Sequence, residues 1–198
     1  MISKSYYQIK NGIKRRLFAI NRFRFGYLGH HAVIIKPILI SGRKYIQIGK
    51  NVKIGEYARI EAVSKRNKEA YIPKLVIGDN TTFEQFAHIT CASNLKIGRN
   101  CTFLSRVMVT TISHKYDKIG KPISMQNIIS KDVTIGDNCF ICMDVKIFPG
   151  VQIGDNVIIG ANSIVMDDLP SYTVCVGVPA IPIKKFNFEK GTWEKYES

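Results

Sequence analysis

Four histidines, His30, His31, His88 and His114, are the side chains here that can exchange a proton near neutral pH. An imidazole set on a surface, with room for a partner beside it, can take the proton of a hydroxyl. His114 answers that description best. It stands in Thr110-Thr111-Ile112-Ser113-His114-Lys115-Tyr116-Asp117, where a six-residue periodicity breaks off and the longest irregular stretch begins. A coil corner at the mouth of such a stretch would present the ring beside a flexible lid. A surface histidine without a task has the same spacing, so both readings stay open on the residues alone. His88, inside the periodic segment as Phe86-Ala87-His88-Ile89, reads as a wall residue with a smaller claim to ligand contact.

Other chemistries lack their residues. The chain has no G-x-S-x-G, no P-loop and no dinucleotide fingerprint, which removes the support for serine hydrolase, NTPase and dehydrogenase readings. A zinc site between subunits needs three well-placed imidazoles, and only His88 and His114 fall in the periodic segment, so no metal is expected. The five cysteines are odd in number and form one C-x-x-C pair, Cys139 and Cys142, which argues against a disulfide framework and for a reducing compartment. Cys101 and Cys139 read as small buried residues.

The elements that must position His114 follow from the periodicity. A large apolar residue recurs every six positions: Ile77, Phe83, Ile89; Ile97, Phe103, Val109; Ile135, Ile141, Ile147, Ile153, Ile159, Val165. Four residues after each comes a small or β-branched one, including Thr81, Ala87, Ser93, Cys101, Val107, Ser113, Cys139, Val145, Val151, Val157 and Ser163, with Leu169 the exception. Six matches neither an alternating strand nor an amphipathic helix. It matches one side of a prism: a short strand plus a corner, three sides to a coil, with coils stacked as parallel strands about 4.8 Å apart. The expected fold is all-β, a parallel β-helix.

The corners carry Ile48-Gly-Lys-Asn51, Ile77-Gly-Asp-Asn80, Ile97-Gly-Arg-Asn100, Ile135-Gly-Asp-Asn138 and Ile153-Gly-Asp-Asn156, supplying residues that tolerate positive φ. The interval from Ile135 to Ile153 is 18 residues, one clean coil, whereas Ile77 to Ile97 is 20, Ile48 to Ile77 is 29 and Ile97 to Ile135 is 38. The excesses place insertions at about 63–74, near Leu95, and at about 115–134. Long loops on a rigid scaffold tend to carry function.

Charge is lopsided. The net charge is +14, and twelve lysines and arginines precede the first acidic residue, Glu56. Residues 1–30 read as a basic amphipathic helical segment, with Ile2, Tyr6, Ile9, Ile13, Leu17 and Ile20 on one face. Such a helix can cap the open end of the β-helix or contact an anionic membrane peripherally. Basic interruptions exclude a signal peptide's apolar run, and the chain has no run of 18 apolar residues, so a cytoplasmic protein is expected, with peripheral contact at the inner face of the membrane as an option. Nucleic acid is not an expected partner, since the charge comes without a recognition helix or stacking sheet.

The stretch from Val133 through Val165, with Phe148-Pro149-Gly150-Val151 inside it and Gly177-Val178-Pro179-Ala180 after it, resembles the left-handed β-helix hexapeptide-repeat acetyltransferases. Within them it is similar to the galactoside and maltose branch and to relatives that O-acetylate surface polysaccharides. The likeness covers roughly residues 75–185. It implies a left hand, acetyl-CoA as co-substrate, and a homotrimer with active sites between subunits. By position it gives His114 the general base and the Met143 N–H the oxyanion. Glu84, in place of the family's asparagine, faces the acceptor with His88 and Tyr116, and Gly160, Ala161, Gly177, Pro179 and Lys184 hold CoA. Met166-Asp167 replaces a common Thr-Lys and removes one expected cation from the CoA groove.

The resulting organisation is an N-terminal segment 1–30, a β-helix domain 31–183 with the 115–134 insertion, and a tail 184–198. The function implied is O-acetylation of a sugar or surface-polysaccharide hydroxyl by direct transfer. The alternatives are N-acylation of an amino sugar or antibiotic, and a non-catalytic β-helix scaffold.

Overall fold

The structure is a computed structural model that describes residues 24–197. The helical segment expected over residues 1–30 falls almost wholly outside that range. Three parallel sheets form the faces of a prism. Face A stacks Tyr27–Leu28, Ile46–Ile48, Lys74–Ile77, Asn94–Ile97, Val133–Ile135 and Gln152–Ile153. Face B stacks Val33–Ile34, Lys53–Ile54, Thr82–Phe83, Thr102–Phe103, Phe140–Ile141, Ile158–Ile159 and Thr173–Gly177. Face C stacks Leu39–Ser41, Arg59–Ala62, His88–Cys91, Met108–Thr110, Lys146–Ile147 and Ile164–Val165.

The six-residue pattern dictates this register. Ile48, Ile77, Ile97, Ile135 and Ile153 pair position for position up face A, and all are buried. Phe83 and Phe103 do the same on face B, their rings stacked at 4.3 Å. Each aliphatic side chain so enclosed contributes about 1.5–3 kcal/mol relative to exposure. Cys101 and Cys139 are buried, with thiols 3.1 Å from the carbonyls of Gly136 and Gly154.

The A–B corners are built alike. Asn51, Asn80, Asn100, Asn138 and Asn156 all have φ between 55° and 59°. The first four link side chain to side chain at 2.9, 3.0 and 3.2 Å, a ladder that satisfies each amide with the coil above. The preceding glycines are required by close approach. A Cβ on Gly78 would lie 2.6 Å from the backbone of Gly98.

The coils start earlier than expected, at Tyr27–Leu28, so His30 and His31 occupy the first A–B corner and belong to the prism. The 183/184 boundary falls inside a strand: Ala180–Asn187 and Thr192–Lys195 extend face B antiparallel. Val133 and Thr134 are strand residues of face A, which confines the large insertion to 111–132.

Candidate active site

The A–B and B–C corners take four residues in every coil, as at 78–81 and 84–87, while the C–A corner varies. It takes residues 63–73 in the second coil, 92–93 in the third and 111–132 in the fourth. The two long insertions therefore leave the same edge of the prism. Each forms an antiparallel arm, Lys65–Arg66 with Glu69–Ala70, and Ile112–His114 with Ile128–Ser130.

The second arm is tied at its base. Thr111 is fully buried, and its Oγ1 accepts the Ala92 N–H at 2.9 Å while contacting Ser130 Oγ at 2.9 Å. Ser130 Oγ lies 2.8 Å from Ser93 Oγ, and Thr90 and Thr110 hydroxyls meet at 2.9 Å. Asp132 accepts both the backbone N–H and the side-chain amide of Asn94, which hold its carboxyl below the usual range. Ser113 is therefore not inward: the coil ends at Thr111, and Ser113 is exposed on the arm.

The first arm buttresses the second. The Asn127 side chain donates to Glu69, Tyr71 OH donates to Glu69 at 2.8 Å and approaches the Ile128 carbonyl at 3.4 Å, and Ile128 is buried. Burial, then the Glu69 carboxylate, raises the Tyr71 phenol above its ordinary value, so it stays a donor. Farther out, the buried Gln126 amide accepts the Lys118 N–H and donates to the carbonyls of Lys118 and Lys121. The segment beyond His114 is thus an internally bonded arm rather than a loose lid.

His114 sits on this arm, three residues beyond the coil, exposed and paired with Ile128. Strand alternation sends its side chain to the face that carries Ile128. The opposite face, with Ser113, Lys115, Ile129 and Lys131, overhangs an open cleft of about 500 Å³ whose other walls are Tyr116, Asp117, Phe148, Pro149 and Met166.

The remaining expected residues lie elsewhere. Glu84, Met143, and Gly160 with Ala161 occupy the B–C corner of the third, fifth and sixth coils, with the 104–107 corner of the fourth between Glu84 and Met143. In the fifth coil's turn the Cys142 N–H donates to Ile159 and the Asp144 N–H to Ser105, while the Met143 N–H between them has no backbone acceptor among the described residues. Gly160 is required by packing: a Cβ there would lie 2.7 Å from Val176 Cγ1. The Gly177–Pro179 turn, with a cis bond at Pro179, is fastened to the same corner by the Gly177 N–H on Ser163 Oγ at 3.1 Å. Lys184 pairs with Val174, on the far side of face B from that turn. His88 lies outward on face C beside Arg59; partial burial, then the Arg59 charge, lowers its pKa.

Within one chain, then, Met143, Gly160, Ala161, Gly177 and Pro179 come together, Glu84 lies on the same edge two coils from Met143, and His114 with Tyr116 stands across the width of face C. Sequence reasoning missed Glu69, Tyr71, Asn127 and Gln126. The insertions were legible in the spacing, and both follow face C, but their mutual contact was not. Among the described residues no group of three or more His, Cys, Asp or Glu could hold a metal, and no helix is long and apolar enough to cross a membrane.

A stacked-coil prism with an arm at one corner is the architecture of hexapeptide-repeat transferases. The bacterial transferase hexapeptide family (six repeats) matches residues 128–166. WbbJ of Escherichia coli (strain K12), named for lipopolysaccharide biosynthesis O-acetyl transfer, is 32% identical over 170 residues, covering 82% of this chain and 83% of its own. The chain belongs to the hexapeptide-repeat acetyltransferase family. The maltose O-acetyltransferase of Clostridium difficile 630 superposes with a TM-score of 0.55 at 29% identity, over 85% of this chain and 74% of its own. The Vibrio cholerae acetyltransferase VCA0836, solved with acetyl coenzyme A, shares the fold at a TM-score of 0.54 and 21% identity, over 88% of this chain and 78% of its own.

Proposed function

We propose that this protein is an acetyl-CoA-dependent O-acetyltransferase that acts on a hydroxyl of a sugar or surface-polysaccharide unit, with His114 as general base. The observation that carries the reading is His114 itself: an exposed imidazole on an arm fixed at its base by buried hydroxyls and braced by a second arm. Such a base can stand at a constant position while an acceptor comes to it.

In the proposed reaction neutral His114 removes the acceptor hydroxyl proton as the oxygen attacks the thioester carbonyl. The Met143 N–H, left without a backbone acceptor in its turn, donates to the developing oxyanion. The imidazolium then returns the proton to the departing thiolate. The pantetheine arm would follow Gly160, Ala161 and the Gly177–Pro179 turn, with Lys184 toward a CoA phosphate, and Glu84 and His88 would face the acceptor.

His114 and Met143 stand at opposite edges of face C, roughly 15 Å apart at about 3.3 Å per residue. One chain cannot bring them to one substrate. This supports a homotrimer of left-handed β-helices in which the arm of one subunit faces the B–C corner of another. The relationship to WbbJ supports a glycan acceptor.

The test is CoA release from acetyl-CoA with hydroxylated and amino-sugar acceptors. His114→Ala should lower kcat by about 10²–10⁴ with the KM for acetyl-CoA little changed. Equal turnover by the variant would remove His114 from the mechanism, and faster transfer to amines than to hydroxyls would reassign the acceptor.

A further inference from the structure

Tyr57 and Phe86 hold the same place on neighbouring coils, each the third residue of a B–C turn, at 55–58 and 84–87, with φ of 62°. Their rings stack with centroids 5.2 Å apart and planes inclined by 20°, and the two residues are still 43% and 49% exposed. The turn does not call for an aromatic. Bulky side chains are disfavoured at positive φ, and the same position holds Arg106, Asp144 and Asn162 in the coils above. The core does not call for one either, since Phe83 and Ala87 already fill the interior on each side of Phe86. Backbone bonds fix the pair: the Tyr57 N–H donates to the Lys36 carbonyl at 3.0 Å and the Phe86 N–H to the Glu56 carbonyl at 2.9 Å. The result is a rigid aromatic surface held open to solvent, ready to stack on a flat apolar partner.

Charge narrows the partner. The cations around the pair are each matched to a carboxylate: Lys36 to Glu56 at 2.9 Å, Arg59 to Glu61, and Arg106 to Asp144. Glu84, in the same turn as Phe86, has no ion pair among the described residues. This surface repels phosphates and carboxylates and suits a neutral ring with an apolar face and a hydroxylated rim. We infer that Tyr57 and Phe86 form a stacking platform for a neutral pyranose of the acceptor, at a different unit from the one acetylated. Phe86 lies two coils and Tyr57 three coils from Met143 on one edge, about 10 and 14 Å at about 4.8 Å per coil. A hydroxyl beside the Met143 N–H and a ring on the platform therefore belong to separate sugar units. Platform and Met143 share a chain, so the span does not depend on how subunits pack. The acceptor is then a neutral oligosaccharide or polysaccharide rather than a free monosaccharide. The inference rests on the acetyl-transfer reading and adds the length and charge of the acceptor to it.

The experiment measures CoA release by the full chain with neutral gluco- and galacto-saccharides, from monosaccharide to hexasaccharide, and with UDP-glucose. Calorimetry follows binding of the hexasaccharides without acetyl-CoA. The double variant Tyr57→Asn/Phe86→Asn places at both positions the residue that the sixth coil carries there as Asn162, so the turns should form as before. Wild type should show a lower KM for hexasaccharide than for monosaccharide. The variant should raise the hexasaccharide KM and Kd about tenfold, leaving kcat, the monosaccharide KM and the KM for acetyl-CoA within about twofold. Phe86→Tyr, which keeps the ring, should behave as wild type. A KM indifferent to acceptor length, or hexasaccharide binding absent or unweakened in the variant, would overturn the inference and leave acetyl transfer standing. So would a selective rise in the KM for UDP-glucose, which would make the platform a nucleobase site, or a lower mass by light scattering, which would make it a subunit contact. Hexasaccharide binding weakened in the variant, with no CoA release by wild type on any acceptor, would keep the platform and remove the acetyl-transfer reading.

Discussion

Thr111→Val tests whether the buried hydroxyls at the foot of the second arm hold it in place. Valine keeps the shape and the β-branch, so packing is conserved and the hydroxyl alone is removed. Thr111 Oγ1 accepts the Ala92 N–H at 2.9 Å and lies 3.4 Å from the Ser93 N, which leaves its own proton for Ser130 Oγ at 2.9 Å. Leaving the Ala92 N–H unsatisfied in a site with no exposed surface costs about 1–3 kcal/mol, and loss of the Ser130 bond about 1 more. The sum, about 2–4 kcal/mol, corresponds to a fall in Tm of about 4–16 °C for a chain of this size.

Thr111→Ser is the control. It keeps the oxygen and removes one buried methyl, at a cost of about 1 kcal/mol. Thermal unfolding by circular dichroism should therefore rank wild type above serine and serine above valine. Amide exchange should quicken in the valine variant at Ala92 and at Lys131, whose N–H bonds the Thr111 carbonyl at 2.9 Å. Because the same foot carries His114, kcat for acetyl transfer should fall with valine more than with serine, the KM for acetyl-CoA being unchanged. A valine variant as stable as the serine one, with unchanged exchange at Ala92, would refute the reasoning.

Other perturbations separate the prism from its arms. Phe103→Ala opens a cavity beside Phe83, 4.3 Å away between ring centroids, and should cost about 3–5 kcal/mol in denaturant unfolding. Gly78→Ala forces Cβ to 2.6 Å from the Gly98 backbone and should abolish soluble expression, whereas Gly120→Ala, at φ +80 with nothing within 4 Å, should cost only about 1–2 kcal/mol. Asp132, Asp137 and Asp144 are held below the ordinary carboxylate value by Asn94, Arg99 and Arg106 in turn. Their contribution is complete above the unfolded value of about 4 and is lost as pH falls through the lowered folded values. The Tm should thus decline below about pH 4, and Asp132→Asn/Asp137→Asn should flatten that decline.

The prism was legible because one signal repeats. Each buried aliphatic reports the same interior position, so Ile77 through Val165 read correctly without any pairwise information. The edges were less legible. The first coil lacks the Ile-Gly-Asp-Asn corner, having Leu28-Gly29-His30-His31, and so His30 and His31 were left outside the repeat. Ser113 fitted the six-residue count by coincidence, since a hairpin leaving the coil keeps the spacing for two residues while changing the direction of every side chain. The contact of Glu69 with Asn127 spans 58 residues between segments that have no periodicity, and no local pattern encodes it.

Why the arms share one corner follows from the other two. At the A–B corner each asparagine is at positive φ, and Asn51, Asn80, Asn100 and Asn138 are bonded side chain to side chain from coil to coil, so a residue inserted among them would break the ladder. At the B–C corner Tyr57, Phe86, Arg106, Asp144 and Asn162 all take φ between 55° and 65°, each accepting the same four-residue turn. The C–A corner has no such column: its positive-φ residues, Gly42, Asn67, Gly120 and Gly150, occur at different places in segments of different length. Extra chain can enter there without disturbing a neighbour, and successive insertions then stack at about 4.8 Å per coil and can touch. The position of His114 is in this sense a consequence of the corners that cannot change. A four-residue insertion beside Gly120 should leave the fold intact, and the same insertion between Asp79 and Asn80 should unfold it; equal tolerance at both sites, read by circular dichroism, would show that the corner ladders do not set where the arms leave the prism.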